Sequence, residues 1–156
     1  MRALLLLALL SIPAAAEEPR AALGFTVLGV QASWDVTPVW RGEFRWLTGK
    51  ENSDYGQVTA NVFSARAYRF FHESNATRPY WGAEAGYVSA SPAQSKFQVT
   101  GLTAGAFLGV ERRFSTRLRA GLDLGPYVFA LQEHSTDQSS QSLDFILNFY
   151  FLVYLF

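Results

Sequence analysis

Apolar and polar residues alternate one for one through much of this chain, and a period of two is the geometry of a β-strand with two unlike faces. In 117–131 the odd positions are Arg117, Arg119, Gly121, Asp123, Gly125 and Tyr127, and the even ones are Leu118, Ala120, Leu122, Leu124, Pro126 and Val128. In 97–113, Thr103, Gly105, Gly109, Glu111 and Arg113 oppose Leu102, Ala104, Ala106, Leu108 and Val110. In 36–48, Arg41, Glu43 and Arg45 oppose Trp40, Phe44 and Trp46. In 79–90, Gly82, Glu84 and Gly86 oppose Trp81, Ala83, Ala85 and Tyr87. A soluble sandwich buries the apolar face of such strands and wets the charged one. A membrane barrel does the reverse, with apolar residues on lipid and polar ones in the lumen.

Composition and the N-terminus decide between the two. Aromatic residues make up 15% of the chain and charged ones 17%, the latter low against about a quarter in soluble domains. Met1-Arg2, the apolar run Ala3–Ile12, Pro13 and the small residues Ala14-Ala15-Ala16 have the order of a secretory signal. The apolar run is far shorter than the roughly 20 residues a spanning helix needs. Residues 1–16 are therefore read as a signal peptide cleaved near Ala16, and 17–156 as one barrel domain. With no cysteine, thiolate metal sites, thiol catalysis and disulfides are excluded, and no cofactor or metal is expected. Lys and Arg balance Asp and Glu at thirteen each, so no basic field points to nucleic acid.

Strands are expected at about 21–33, 36–48, 55–72, 79–90, 97–113, 117–131 and 142–156. Three short connectors, Trp34–Pro38, His72–Arg78 and Phe114–Arg117, alternate with three more polar ones, Gly49–Asp54, Ser91–Lys96 and His134–Ser142. Short turns on one side and longer loops on the other is the asymmetry of outer-membrane barrels. Seven strands are readable, whereas bacterial single-chain barrels have an even number. The expectation is therefore about eight: the stretch before residue 36 hides two short strands, or Arg69–Tyr87 and its neighbours are divided differently, or closure is unusual. Centring the 114–117 hairpin on residue 115 sets Glu111 opposite Arg119 and Arg113 opposite Arg117.

Arg69–Tyr87 (RFFHESNATRPYWGAEAGY) and Gly105–Leu124 (GAFLGVERRFSTRLRAGLDL) resemble the small opacity-protein-like outer-membrane barrels. That resemblance implies a transmembrane antiparallel up-and-down β-barrel, outer-membrane lipid and lipopolysaccharide as surroundings, and the barrel-insertion machinery as a partner during biogenesis. It also implies that Tyr154 and Phe156, at the end of the aromatic run Phe149–Phe156, act as a C-terminal insertion signal. The family pattern puts Phe156 toward lipid, yet its parity is that of the polar Asp144 and Asn148. A bulge between 148 and 150 would reconcile the two.

Candidate functional residues fall into three groups. Arg41, Glu43, Arg45, Glu84, Glu111, Arg113, Arg117, Arg119 and Asp123 form the polar face, and their mixed sign suits a salt-bridged plug in a lumen only as wide as side chains. A narrow charge-selective pore is the alternative, favoured by charges of one sign. Trp34, Trp40, Trp46, Trp81, Tyr80, Tyr87, Tyr150 and Tyr154 fit interfacial girdles or, alternatively, a hydrophobic ligand pocket. His72-Glu73-Ser74-Asn75 is similar to the His-x-Ser-Asn motif of lipid A deacylases, with Glu84 as the carboxylate to orient a His–Ser pair. These are also common turn residues, and the segment falls at a short turn. Glu133-His134-Ser135-Thr136-Asp137 reads as a solvated loop without metal-ligand spacing, and the sequon Asn75-Ala76-Thr77 as incidental. Three functions follow: a non-enzymatic structural or surface-interaction barrel with a plugged lumen, a narrow channel or carrier for small or hydrophobic solutes, and a lipid A hydrolase using His72, Ser74 and Glu84.

Overall fold

The computed structural model describes residues 20–53, 56–71, 76–92, 98–133 and 138–155. Eight strands run β1 Ala21–Thr26, β2 Gly29–Thr37, β3 Trp40–Ser53, β4 Gly56–Phe70, β5 Thr77–Pro92, β6 Val99–Arg113, β7 Leu118–Glu133 and β8 Gln138–Tyr154. Each pairs antiparallel with the next, and β8 returns to β1, closing the sheet into a barrel. Closure removes both sheet edges over the closed part of the wall and satisfies the backbone there within the ring.

The stagger follows from the register. The ladder passes from Ala22 through Ser33, Glu43, Arg66, Glu84, Gly105 and Tyr127 to Asp144. The other partner of Ala22 is Tyr154, so one circuit climbs ten residues along β8, from 154 to 144. That shear tilts the strands and leaves an interior just wide enough for side chains. Interior rings meet glycines across the ladder. A Cβ at Gly109 would run into the Tyr80 ring, and one at Gly121 into Tyr150. Large residues thus fit beside small ones in a narrow tube.

The eighth strand lies in 21–33, which is two strands joined by Val27-Leu28. Neither turn residue is Gly, Pro, Asn or Asp, so the break is disguised as apolar strand. Thr26 Oγ1 accepts from the Leu28 amide at 3.2 Å and holds the turn. Further on, β2 continues to Thr37 with a register shift between Asp35 and Thr37, which shortens the expected Trp34–Pro38 connector to two residues. The β6–β7 register also differs from expectation. Arg113 pairs with Arg119 and Glu111 with Gly121, two residues away from the centring on 115. The cause is a four-residue turn in which Leu118 O accepts from Phe114 N at 2.9 Å and Ser115 Oγ from Leu118 N at 3.0 Å. A two-residue shift preserves the faces but changes every partner.

No bulge interrupts β8. Its pairing with β7 is continuous from Gln138 to Leu152–Val153, and Asn148, Tyr150, Leu152 and Tyr154 all lie on the inward face. Phe156 lies outside the described residues, as do the signal segment 1–16, His72, Glu73, Ser74, Asn75, His134, Ser135, Thr136 and Asp137.

Closure is directly testable, because the chain carries no cysteine of its own. Ala21 O accepts from Leu155 N at 2.9 Å, so Leu23 and Val153, two residues along, form a hydrogen-bonded pair. Such pairs have Cα atoms about 5.5 Å apart, inside the roughly 4.4–6.8 Å span of disulfides. The double variant Leu23→Cys/Val153→Cys is expected to form an intrachain disulfide on oxidation, read as a reducible gel shift. Leu23→Cys/Leu124→Cys, placed on strands that do not pair, is expected to show none.

Candidate functional site

Alternation aims the polar face of every strand inward, so opposite charges from distant parts of the chain meet on the barrel axis. Five arginines face five carboxylates in a set of two ion-paired groups, Arg41, Arg78 and Arg119 with Asp35 and Glu111, and Arg45 and Arg66 with Glu43, Glu84 and Asp123. In their ordinary ionised forms these charges cancel. Cancellation matters because each ion removed from water costs several kcal/mol unless paired and hydrogen-bonded.

Glu111 is the hub at the end of the barrel that holds both described termini. Its carboxylate accepts from Arg41, from Arg78 Nη2 at 2.7 Å, from Arg119 Nη1 at 3.4 Å and from the Tyr150 hydroxyl at 3.2 Å. Asp35 adds a second acceptor for Arg41 Nε, at 2.7 Å. The Tyr154 hydroxyl donates to Asp35 at 2.8 Å and accepts from Arg41 at 2.5 Å and Arg119 at 3.0 Å.

Arg66 is the second hub. Its Nη2 reaches Asp123 at 2.8 Å and its Nε lies 3.0 Å from Glu84. Glu84 also accepts from Ser64 Oγ at 2.5 Å and from the Tyr127 hydroxyl at 2.7 Å. Asp123 accepts from Tyr80 at 3.1 Å and from Asn148 Nδ2 at 2.9 Å. Glu43 is held more loosely, by Arg66 at 3.7 Å and Arg45 at 3.8 Å. Aromatic faces supply the remaining contacts. The Arg66 guanidinium lies 3.8 Å from the centre of Phe107, and that of Arg78 lies 4.0 Å from Phe70. Around them Tyr68 stacks on Tyr80 at 5.3 Å.

Seven of the nine charges expected on the polar face are buried in this set: Arg41, Glu43, Arg45, Glu84, Glu111, Arg119 and Asp123. Arg113 and Arg117 are not. Both are exposed at the β6–β7 turn, because the interior ends at Glu111 and Arg119. Sequence reasoning missed Arg66, Arg78 and Asp35. Arg66 was readable in Ser64, Arg66, Tyr68 and Phe70, which alternate with Phe63, Ala65, Ala67 and Arg69. Arg78 and Asp35 were hidden in segments read as connectors. Tyr80, Tyr150 and Tyr154 also depart from expectation. They lie inside the barrel, 0–2% exposed, and not in an outer girdle. Tyr154, expected to belong to an insertion signal, faces the ion-paired interior.

Of the residues named in the His–Ser reading, His72, Ser74 and Glu84, only Glu84 lies among the described residues. Glu84 sits seven residues into β5 from Thr77, roughly 23 Å along the strand. Its oxygens are occupied by Ser64, Arg45, Arg66 and Tyr127. Among the described residues no cluster of His, Cys, Asp and Glu is arranged to hold a metal ion.

Taken together the interior charges are balanced and join strands far apart in sequence through salt bridges. No family model, curated protein or solved structure matches the chain.

Removing one side of a hub leaves the other side charged, buried and unpaired. Glu111→Gln is expected to lower folded stability by about 3–5 kcal/mol, read as an earlier midpoint in guanidinium unfolding. Arg117→Ala, outside the network, is expected to leave that midpoint unmoved.

Proposed function

We propose that this chain is an integral outer-membrane β-barrel whose lumen is plugged, serving a structural or surface-interaction role in the envelope without catalysis. The observation that carries this reading is the outer surface. Every strand presents large apolar side chains outward: Phe25 and Val30 on β1 and β2, Phe44 and Phe63 on β3 and β4, Trp81 and Leu102 on β5 and β6, Leu124 and Phe145 on β7 and β8. Their exposure runs from 40% at Trp81 to 73% at Phe145. Soluble monomers rarely expose an apolar patch beyond a few hundred Å², and here the apolar surface encircles the molecule. Charges inside and apolar groups outside is the arrangement that hydrocarbon stabilises and water does not.

Aromatic pairs on the outer face support the same reading. Trp40 and Trp81 meet edge to face at 6.2 Å near the end with the termini, and Arg69 lies over Trp40. Trp46 stacks on Phe63 at 6.1 Å nearer the other end. Amphipathic rings at two levels suit the two interfaces of a bilayer. The export signal read in Met1–Ala16 supplies the route, and the outer membrane is the bacterial membrane that takes barrels.

The neutral plug argues against a charge-selective pore. Selectivity by charge needs an excess of one sign along a continuous path, and here opposite charges neutralise each other across the axis.

Two measurements on protein purified from the envelope test the reading. The folded chain is expected to migrate at a different apparent mass before and after boiling. Liposomes carrying it are expected to swell in small sugars no faster than empty ones. A soluble periplasmic chain without a heat shift would contradict membrane residence, and rapid swelling would contradict the plug.

A further inference from the structure

The barrel wall is not equally tall all round. β1 and β2 have 6 and 9 residues, whereas β3 to β8 have 14 to 17. Pairing of β2 with β3 reaches only Gly29–Leu47, and pairing of β1 with β8 only Thr26–Tyr150. Beyond those points no strand among the described residues lies between β3 and β8. The gap is a notch with the Val27-Leu28 turn as its sill, these two side chains being 80% and 55% exposed. The Thr48 amide donates to Leu28 O at 2.8 Å and anchors the sill to β3.

The interior changes character at the height of the notch. Above the ionic plug the inward positions are Leu47, Ala60, Val62, Val88, Phe129 and Ile146. Their outward neighbours Thr48, Asn61 and Ser89 are polar. The alternation of the lower barrel is thus inverted in β3, β4 and β5. Apolar residues here enclose a cavity of about 200 Å³ floored by Arg45, Glu84, Tyr127 and Asn148. A smaller space of about 50 Å³ shares Leu28, Arg45, Leu47 and Asn148 with that cavity, and it is also lined by the outward-facing Leu147 and Phe149. The cup therefore opens sideways through the notch onto the apolar outer surface.

From this geometry we infer that the cup binds the single acyl chain of a lysophospholipid-type amphiphile, which enters laterally from the bilayer. The inference rests on the membrane reading above. Size limits the occupant, since the cavity is smaller than the roughly 300–1,000 Å³ of pockets for drug-sized ligands. The apolar lining selects a hydrocarbon chain, and the sideways opening selects a source already in the membrane. The rim selects a polar head. Along β8 the inward edge carries Asn148, Asp144 and Ser142, and among the described residues the backbone of this edge has no strand on its β1 side. Backbone groups at membrane depth require hydrogen-bond partners. A glycerol hydroxyl and an ester carbonyl at the notch offer both a donor and an acceptor.

Gly49 gives the test its variant. It lies on the inward face of β3, and a Cβ built there meets nothing within 4 Å. Gly49→Trp fills the cup with no backbone in its way, and Lys50→Trp, at an exposed outward position of β3 that does not line the cavity, places the same ring on the outer face as a control. The protein is reconstituted in phosphatidylcholine liposomes with a trace of lysophosphatidylcholine bearing a photoactivatable group at its chain end. After irradiation, adducts are mapped by mass spectrometry. Adducts on Val62, Phe129 or Ile146 are expected in the native chain and in Lys50→Trp, falling about tenfold in Gly49→Trp. Adducts on the outward Leu102 and Phe145 are expected in all three and report insertion in the same sample. Outward adducts without inward ones, or inward ones unchanged in Gly49→Trp, would overturn the cup. Absence of both classes would overturn the membrane reading along with it.

Discussion

A guanidinium inside a tube as narrow as an eight-stranded barrel must find its carboxylate within the protein, and this requirement organises the molecule. Arg41 reaches Glu111 across the axis, and Arg66 reaches Glu84 and Asp123. These contacts bind β3 to β6, and β4 to β5 and β7, beyond their backbone ladders. Such a network is high-stakes: complete, it specifies one register, because a one-residue slip of any strand turns its charges outward. The tyrosines are part of the same solution. Tyr80, Tyr127, Tyr150 and Tyr154 each present a ring to the packed interior and a hydroxyl to a charge.

The outer face is the complement of that interior. Since side chains alternate, placing Arg41, Glu43 and Arg45 inside places Trp40, Phe44 and Trp46 outside. A charged interior and an apolar exterior are one pattern seen from two sides. The ion-paired interior and the apolar outer face are therefore joined properties of the same strands. The upper interior is where the pattern departs from this rule, and there the wall is also incomplete.

Much of the fold was legible in the sequence because a period of two is hard to imitate by chance over long segments. The faces of β3, β5, β6 and β7 follow directly from it. What escaped was local. Val27-Leu28 turns the chain without a turn residue, so two strands read as one. The four-residue turn at 114–117 shifts its hairpin by two positions, which parity cannot reveal. Arg78 sits just inside β5, where its segment reads as a connector. Tyrosines are ambiguous by nature, since an amphipathic ring suits an interface and a polar interior equally well. The cup was not legible at all, because it depends on how high β1 and β2 reach relative to their neighbours around a sheared barrel.

The central claim is that the outer face of this barrel lies in hydrocarbon. It is tested most directly by single spin labels at Leu122, Leu124 and Val128, outward positions on β7, in the reconstituted protein. Labels facing lipid are expected to collide more with dissolved oxygen than with a water-soluble nickel chelate. The reverse preference, access to the chelate over oxygen at all three sites, would place that face in water and contradict the account.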